Sequence, residues 1–175
     1  MKRIVLTYGL IGGVIVSALM LLNISSGIDW ENGYLIGYTV MVIALSTIFF
    51  GVKTHRDKHL GGAITFGKAF LLGLYITLVA STLYVASWMV YSSMAKQDYM
   101  QEYYAHTKAE LETSDLPAEQ VEAQLQEMRD FQEMYKNPLV KIGFTYVEIL
   151  PVGLLISLLS ATILKRRTPV GAAWS

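Results

Sequence analysis

Four long stretches of the chain carry almost no charge, and that fixes the solvent in which it can fold. Residues 4–28, 32–52 and 69–95 contain no Asp, Glu, Lys or Arg, and residues 142–164 contain one, Glu148. A helix crossing about 30 Å of hydrocarbon at about 1.5 Å per residue needs about 20 mostly apolar residues. Ile4–Ile24, Tyr34–Val52, Ala69–Val90 and Ile142–Leu164 all meet that length. Membrane-spanning strands would be about 10 residues of alternating polarity, and no such alternation occurs. The pattern predicts an all-α membrane protein: a bundle of four transmembrane helices (4–24, 34–52, 69–90 and 142–164) within a single membrane domain covering residues 1–175. At 16% charged residues, against about 25% in ordinary soluble domains, a soluble fold is excluded. The absence of Cys excludes a disulfide scaffold. Lys2 and Arg3 resemble the start of a signal peptide, but the apolar run behind them exceeds the roughly 7–15 residues of a signal core. The first span is therefore expected to be retained.

The basic residues orient the spans. Lys2 and Arg3, then Lys53, Arg56, Lys58 and Lys68, then Lys165, Arg166 and Arg167 fall on one side. The first loop holds Asp29 and Glu31 without a base, and residues 95–141 hold ten acids against five bases. The excess of Lys and Arg belongs on the cytoplasmic side. Both termini, including the basic tail 165–175, are thus expected inside, and residues 95–141 outside. Trp30, Tyr34, Tyr84, Trp88, Tyr91, Phe144 and Tyr146 fall where outer-interface anchors belong, and Phe49, Phe50 and Phe66 near the inner interface.

The outer segment 95–141 reads as a helical hairpin between the third and fourth spans. Neither Gly nor Pro occurs between Leu74 and Leu116, so the third helix is expected to run on toward Glu112. Tyr99, Met100, Tyr103, Tyr104 and Leu111 make one stripe along it. Ser114 or Asp115 then caps a second helix with Pro117 in its first turn. Val121, Leu125, Met128, Phe131 and Tyr135 repeat at helical spacing, with Glu119, Glu122, Glu127, Asp130 and Glu133 on the other faces. Asn137-Pro138 ends that helix. The two stripes either bury one another or leave Tyr99, Tyr103, Tyr104, Phe131 and Tyr135 as a surface for a partner protein.

Glu148 is the one acid inside a span, and such acids are suspects for ion, proton or ligand handling. Its distance from Lys165 along a helix, about 25 Å, sets it near the outer hydrocarbon boundary, within reach of water or a neighbouring Tyr. Pro151, three residues on, leaves the carbonyl near Val147 without its donor, so the two make one polar spot. A structural role for Glu148 is the competing reading. His55 and His59 stand four apart in H-R-D-K-H, a metal-compatible spacing, but in a short basic loop without a third ligand, so a headgroup-facing loop is the better reading. His106 has no nucleophile motif beside it. No phosphate-binding glycine loop or calcium-loop spacing is present. No catalytic residue, cofactor or metal site is expected, and no nucleic-acid partner. Gly61-Gly62 read as the turn into the third span. Gly9 and Gly13, Gly33 and Gly37, and Gly153, Ser157 and Ala161 recur at four-residue spacing and let helices approach closely. They serve either packing inside the chain or a homo-oligomer, with packing inside the chain the preferred reading.

The string F-G-V-K-T-H-R-D from Phe50, with L-G-G-A-I-T-F-G-K-A-F from Leu60, and the closing N-P-L followed by V-E-I-L-P-V-G-L-L-I-S-L-L-S-A-T-I-L resemble the domain-of-unknown-function 4199 family (DUF4199) over about residues 1–167. The resemblance implies a small four-helix protein of the bacterial inner membrane, found mainly in Bacteroidota, and brings no activity or catalytic residue. Gly62, Phe66, Gly67, Lys68, Glu148, Pro151 and Gly153 belong to the matching strings. The function expected is non-catalytic: an envelope protein that binds or regulates a partner through its acidic periplasmic hairpin. The alternative is a small oligomeric transporter or ion-coupled permease using Glu148.

Overall fold

The structure, a computed structural model, describes residues 1–25, 32–95 and 99–166. Seven helices follow one another there: α1 (Lys2–Ser25), α2 (Gly33–Leu45), α3 (Thr47–His59), α4 (Phe66–Met94), α5 (Tyr99–Glu112), α6 (Ala118–Tyr135) and α7 (Pro138–Leu164). Four stretches are long and apolar enough to cross a membrane: α1, α2 with α3 as Gly33–His59, α4 and α7. Residues outside the packing seams are as apolar as those inside them, with Val14, Leu35, Val42, Leu155 and Ile163 all exposed. Water would penalise such a surface, whereas hydrocarbon solvates it. The protein is all-helical with four candidate membrane-spanning helices. Trp30, the acids Asp29 and Glu31, and Arg167 with the rest of the tail lie outside the described residues.

The helices extend beyond the limits expected from hydropathy. The stretch expected as a short basic loop, His55 to His59, is instead the last turns of α3. Helix propagation costs little once a span has nucleated, and Lys and Arg are good helix formers. Ser46 interrupts this second span: its Oγ donates to the carbonyl of Ile43 at 2.6 Å, and Thr47 Oγ1 to Ala44 at 2.9 Å, hydroxyls competing for backbone acceptors. The chain leaves α3 through Gly61 and Gly62, at φ +63° and +86°, a left-handed bend that suits Gly. These two are the turn that the sequence predicts.

The described part of α4 ends at Met94 and α5 begins at Tyr99; residues 96–98, over which the third helix is expected to run on toward Glu112, lie outside the described residues. Pro117 is the N-cap residue of α6, rather than a member of its first turn, and no side chain caps that helix. Asn137-Pro138 both ends the α6 region and starts α7. Asn137 Oδ1 accepts from the Leu139 amide at 2.9 Å, a side-chain cap with Pro at the first helical position.

The chain forms two compact units, Met1–Val85 with Tyr146–Ser175, and Ala86–Thr145; α4 and α7 contribute to both. In the first, small residues set the seams. A Cβ on Gly9 would lie 2.6 Å from Val79 Cβ and one on Gly13 2.9 Å from Leu83 Cβ, so α1 and α4 run parallel in contact. Gly12 faces Thr47 and Gly51 faces Tyr8, which sets α1 antiparallel to α3. Gly73 lies against Ser157 and Gly153 against Thr77, an antiparallel register between α4 and α7. The buried side chains Leu45, Ile48, Leu72, Ile76 and Ile149 fill the space around these seams. The pair Gly33 and Gly37 differs: among the described residues nothing lies within 4 Å of a Cβ at either position, so a side chain there would meet open space.

In the second unit α5 and α6 pack against each other. Met100 and Leu125 are its buried apolar side chains on those two helices.

This contrast between glycines is testable. Gly153→Ala would push a methyl into the Thr77 side chain and is expected to destabilise the fold by about 1–3 kcal/mol, the usual cost of overpacking. Gly37→Ala, with open space, should shift stability by less than about 0.5 kcal/mol. Reversible unfolding of both variants in mixed micelles measures the difference.

Candidate functional site

Three groups of polar or aromatic side chains stand out. The first is Glu148. It projects from α7, on the exposed side of that helix, and its carboxylate accepts a hydrogen bond from the hydroxyl of Tyr84 on α4. The antiparallel register explains the meeting: going up α4 from Thr77 to Tyr84 is matched by going back along α7 from Gly153 toward Glu148. Tyr146 on the same turn pairs with Thr82 at 3.0 Å. Pro151 lies inside α7, which runs through it from Pro138 to Leu164. It is exposed, and because a Pro has no N–H, the Val147 carbonyl is denied its helical donor. Glu148 and the Val147 carbonyl thus come from adjacent residues of α7, with the Tyr84 hydroxyl bonded to the carboxylate. Tyr84, expected as an interface anchor, is instead only 6% exposed, because its ring fills the seam while its hydroxyl serves Glu148.

Below Glu148 the seam carries further hydroxyls. Thr77 Oγ1 and Ser157 Oγ lie 3.2 Å apart, and each also faces a carbonyl of its own helix, Gly73 at 3.0 Å and Gly153 at 2.7 Å, so one hydroxyl donates across the seam while the other back-bonds and accepts. Back-bonding satisfies a hydroxyl without a partner helix, and the cross-helix contact then locks register.

The second group is aromatic and belongs to the second unit. Trp88 Nε1 donates to Tyr135 Oη at 2.9 Å; its ring meets Tyr99 edge-on with centroids 5.6 Å apart and lies 5.9 Å from Tyr91. Phe131 meets Phe144 at 5.0 Å, edge to face, and Tyr135 at 5.7 Å. Edge-on pairs of this kind set the rings' quadrupoles favourably. The ammonium of Lys141 sits 5.2 Å from the Tyr135 ring centroid and 3.4 Å from Ser92 Oγ, a cation over a π face. Tyr104 Oη accepts from Arg129 Nε at 3.0 Å across α5 and α6. All five aromatics named above as a docking surface, Tyr99, Tyr103, Tyr104, Phe131 and Tyr135, are half-buried. At least four of them make contacts within the unit, and the exposed side chains include the acids Glu110, Glu112, Asp115, Glu119, Glu122, Glu127, Asp130 and Glu133, beside Lys108, Arg129, Lys136 and the apolar Leu116 and Met134. Trp88, expected as an anchor at the interface, is 8% exposed and works as the hub of this cluster.

The third group escapes a reading of the sequence. Arg56, in what looks like a solvated basic run, is 8% exposed. Its Nη1 donates to the Leu164 carbonyl at the end of α7 at 3.3 Å, while Nε and Nη2 hold Asp57 at 2.6 and 3.2 Å. Two more bonds fasten the same end: Ile64 N to Arg166 O at 3.1 Å and Arg166 N to Ile64 O at 2.9 Å. A terminal helix carbonyl needs a donor, and an Arg fork can serve a carboxylate and a carbonyl together. His55 and His59 have their rings 5.5 Å apart, and among the described residues no group of three or more His, Cys, Asp or Glu could hold a metal ion.

A family model described as protein of unknown function (DUF4199) matches residues 7–166, nearly the whole chain. The chain belongs to the DUF4199 family. No curated relative and no solved structure matches it. The match takes in both strings that carry the likeness, and with them Gly62, Gly153, Glu148 and Pro151. For this DUF4199 protein, then, residues earn roles only through their own geometry.

The Trp88–Tyr135 bond gives a direct check. Trp88→Phe keeps the ring packing and removes one donor, so a loss of about 1 kcal/mol is expected. Amide hydrogen exchange should quicken in the last turn of α6, residues 131–135, and leave α1 unchanged.

Proposed function

We propose that this DUF4199 protein is a non-catalytic, multi-pass protein of the bacterial inner membrane. Its four spans form a bundle, both termini are cytoplasmic, and residues 95–141 are a periplasmic helical hairpin that binds or regulates another envelope component. The observation that carries this reading is the division of labour within α5 and α6. Their aromatic side chains are half-buried, with Tyr99 and Tyr135 set against Trp88, while most of their carboxylates are exposed. A surface of that kind recruits a basic partner by long-range attraction and discriminates by charge. The contact surface is then the acidic faces, Glu119, Glu122, Glu127 and Glu133 foremost, with Tyr99, Tyr103, Tyr104, Phe131 and Tyr135 holding those faces in place.

Two measurements test this. Exchanging Glu119, Glu122, Glu127 and Glu133 for Gln should weaken recovery of the partner in affinity capture by about tenfold, and more at low salt; undiminished recovery counts against the reading. For the orientation, Ser114→Cys is expected to react with an impermeant thiol reagent on intact cells, and Lys58→Cys only once the membrane is opened.

The Glu148–Tyr84 pair favours a second reading, a small oligomeric transporter or ion-coupled permease with Glu148 as its coupling acid. Under it, Glu148→Gln abolishes proteoliposome flux while leaving the fold intact. Gly33 and Gly37, open to a neighbour, would then supply a close approach between copies.

A further inference from the structure

The end of the first unit that gathers Arg56, Asp57, Leu164 and Arg166 has a charge imbalance that the chain does not resolve. Lys53, Lys58, Lys68, Lys165 and Arg166 are all exposed there. Among the described residues none of them forms an ion pair. The acid present is Asp57, and both of its oxygens are engaged by Arg56. Lys53 and Arg166 lie close enough to act on Asp57 electrostatically, so they share its side of the helix end. On α3, Phe50 stands three residues before Lys53 on that face and is 55% exposed; on α7, Ile163 stands three residues before Arg166 and is 67% exposed. The bond from Arg56 to the Leu164 carbonyl holds the ends of α3 and α7 side by side. On α3 a cation thus stands with an apolar side chain one turn deeper, and Arg166, held just past the end of α7 by its backbone pairing with Ile64, adds a second cation beside Ile163 in the last turn of that helix.

We propose that this end of the α3–α7 pair is a binding site for an anionic glycerophospholipid. Lys53 and Arg166 take its phosphate, and Phe50 and Ile163 lie along the first carbons of an acyl chain. The occupant follows from complementarity. Two cations flank a neutralised Arg56–Asp57 pair, which leaves net positive charge for a phosphate diester, and the apolar residues below suit a chain and not a soluble anion. Basic pockets between membrane helices are suited to anionic headgroups for this reason. The site does not depend on the outer helices or on Glu148, so it stands or falls apart from the function proposed above.

The test uses the full chain purified in neutral detergent, with retained lipid counted by native mass spectrometry. Phosphatidylglycerol should be retained and phosphatidylcholine, at the same mole fraction, should not. Lys53→Gln with Arg166→Gln should weaken phosphatidylglycerol retention by about 30-fold, from the usual contribution of two basic groups near an anionic surface. Lys108→Gln with Lys136→Gln should leave it unchanged. Equal retention of both lipids overturns the proposal, as does a helical Lys53→Gln, Arg166→Gln variant that holds phosphatidylglycerol like the parent. Displacement of the lipid by millimolar inorganic phosphate also overturns it, since that would mark a site for a soluble anion. If the double variant fails to fold, the comparison of the two lipids on the parent chain decides.

Discussion

Close approach of α4 and α7 is the contact on which the rest of the first unit depends. Between helices surrounded by lipid, burying apolar side chains gains little, because the chains of a bilayer are as apolar as Leu. What holds such helices is dispersion across backbones brought near, with hydroxyl bonds across the gap. The Gly73–Ser157 and Gly153–Thr77 contacts supply both, and they do so in a register that admits no slip. A shift by one turn would drive the Thr77 side chain into Ile149 or Ser157 in place of Gly153. The same register then delivers Tyr84 to Glu148 and Thr82 to Tyr146. The contacts of Tyr84 with Glu148 and Thr82 with Tyr146 are consequences of small residues further along the same pair.

Polar groups in this unit are settled by one of two routes. A hydroxyl that back-bonds to its own helix keeps its lone pairs and can accept from a hydroxyl of the facing helix, the arrangement open to Thr77 and Ser157. Charged groups need more. Arg56 is buried with its charge opposed by Asp57 and a remaining N–H given to the Leu164 carbonyl. That arrangement offsets the cost of removing a guanidinium from water, and at the same time closes the end of α7. Glu148, well inside the same helix, has a Tyr hydroxyl bonded to it and, among the described residues, no ion-pair partner. The two ionisable side chains therefore sit in opposite conditions: one matched and structural, the other left with unspent hydrogen-bonding capacity.

The spans were legible because lack of charge over about 20 residues has one cheap physical explanation, and hydropathy needs no knowledge of neighbours. Helix ends were less so. Lys53 to His59 looked like a loop since its residues are polar, yet polarity marks where lipid stops, not where a helix does. The small-residue pairs could not be ranked from spacing: Gly9 with Gly13 and Gly153 with Ser157 pack inside the chain, while Gly33 and Gly37 share the spacing but, among the described residues, leave open space where a side chain would stand. Glu148 was evident as a lone acid, and a neighbouring Tyr was anticipated, though not which one. Arg56 was missed. An Arg beside an Asp in a basic run reads as solvated, and its partner at Leu164 is a backbone carbonyl distant in sequence, a type of acceptor that no side-chain pattern reveals. The five aromatics of the outer helices were found as stripes. Which of them face inward depended on Trp88, a residue of α4 that periodicity in α5 and α6 could not include.

The distribution of charge between the two units follows from how each acid is treated. In the first, Asp57 is neutralised by its neighbour Arg56, so the remaining Lys and Arg at that end act as uncompensated positive charge. In the second, the described bases meet local partners: Lys108 pairs with Glu112 and Lys136 with Glu133 at 2.6 Å, while Arg129 meets Tyr104, and Lys141 meets Ser92 and the Tyr135 ring. Acids outnumber bases ten to five over residues 95–141, so that segment keeps an excess of negative charge. The same contacts that close α7 and seat the aromatic cluster also decide which charges remain for other molecules, so packing and recognition are set by one set of side chains.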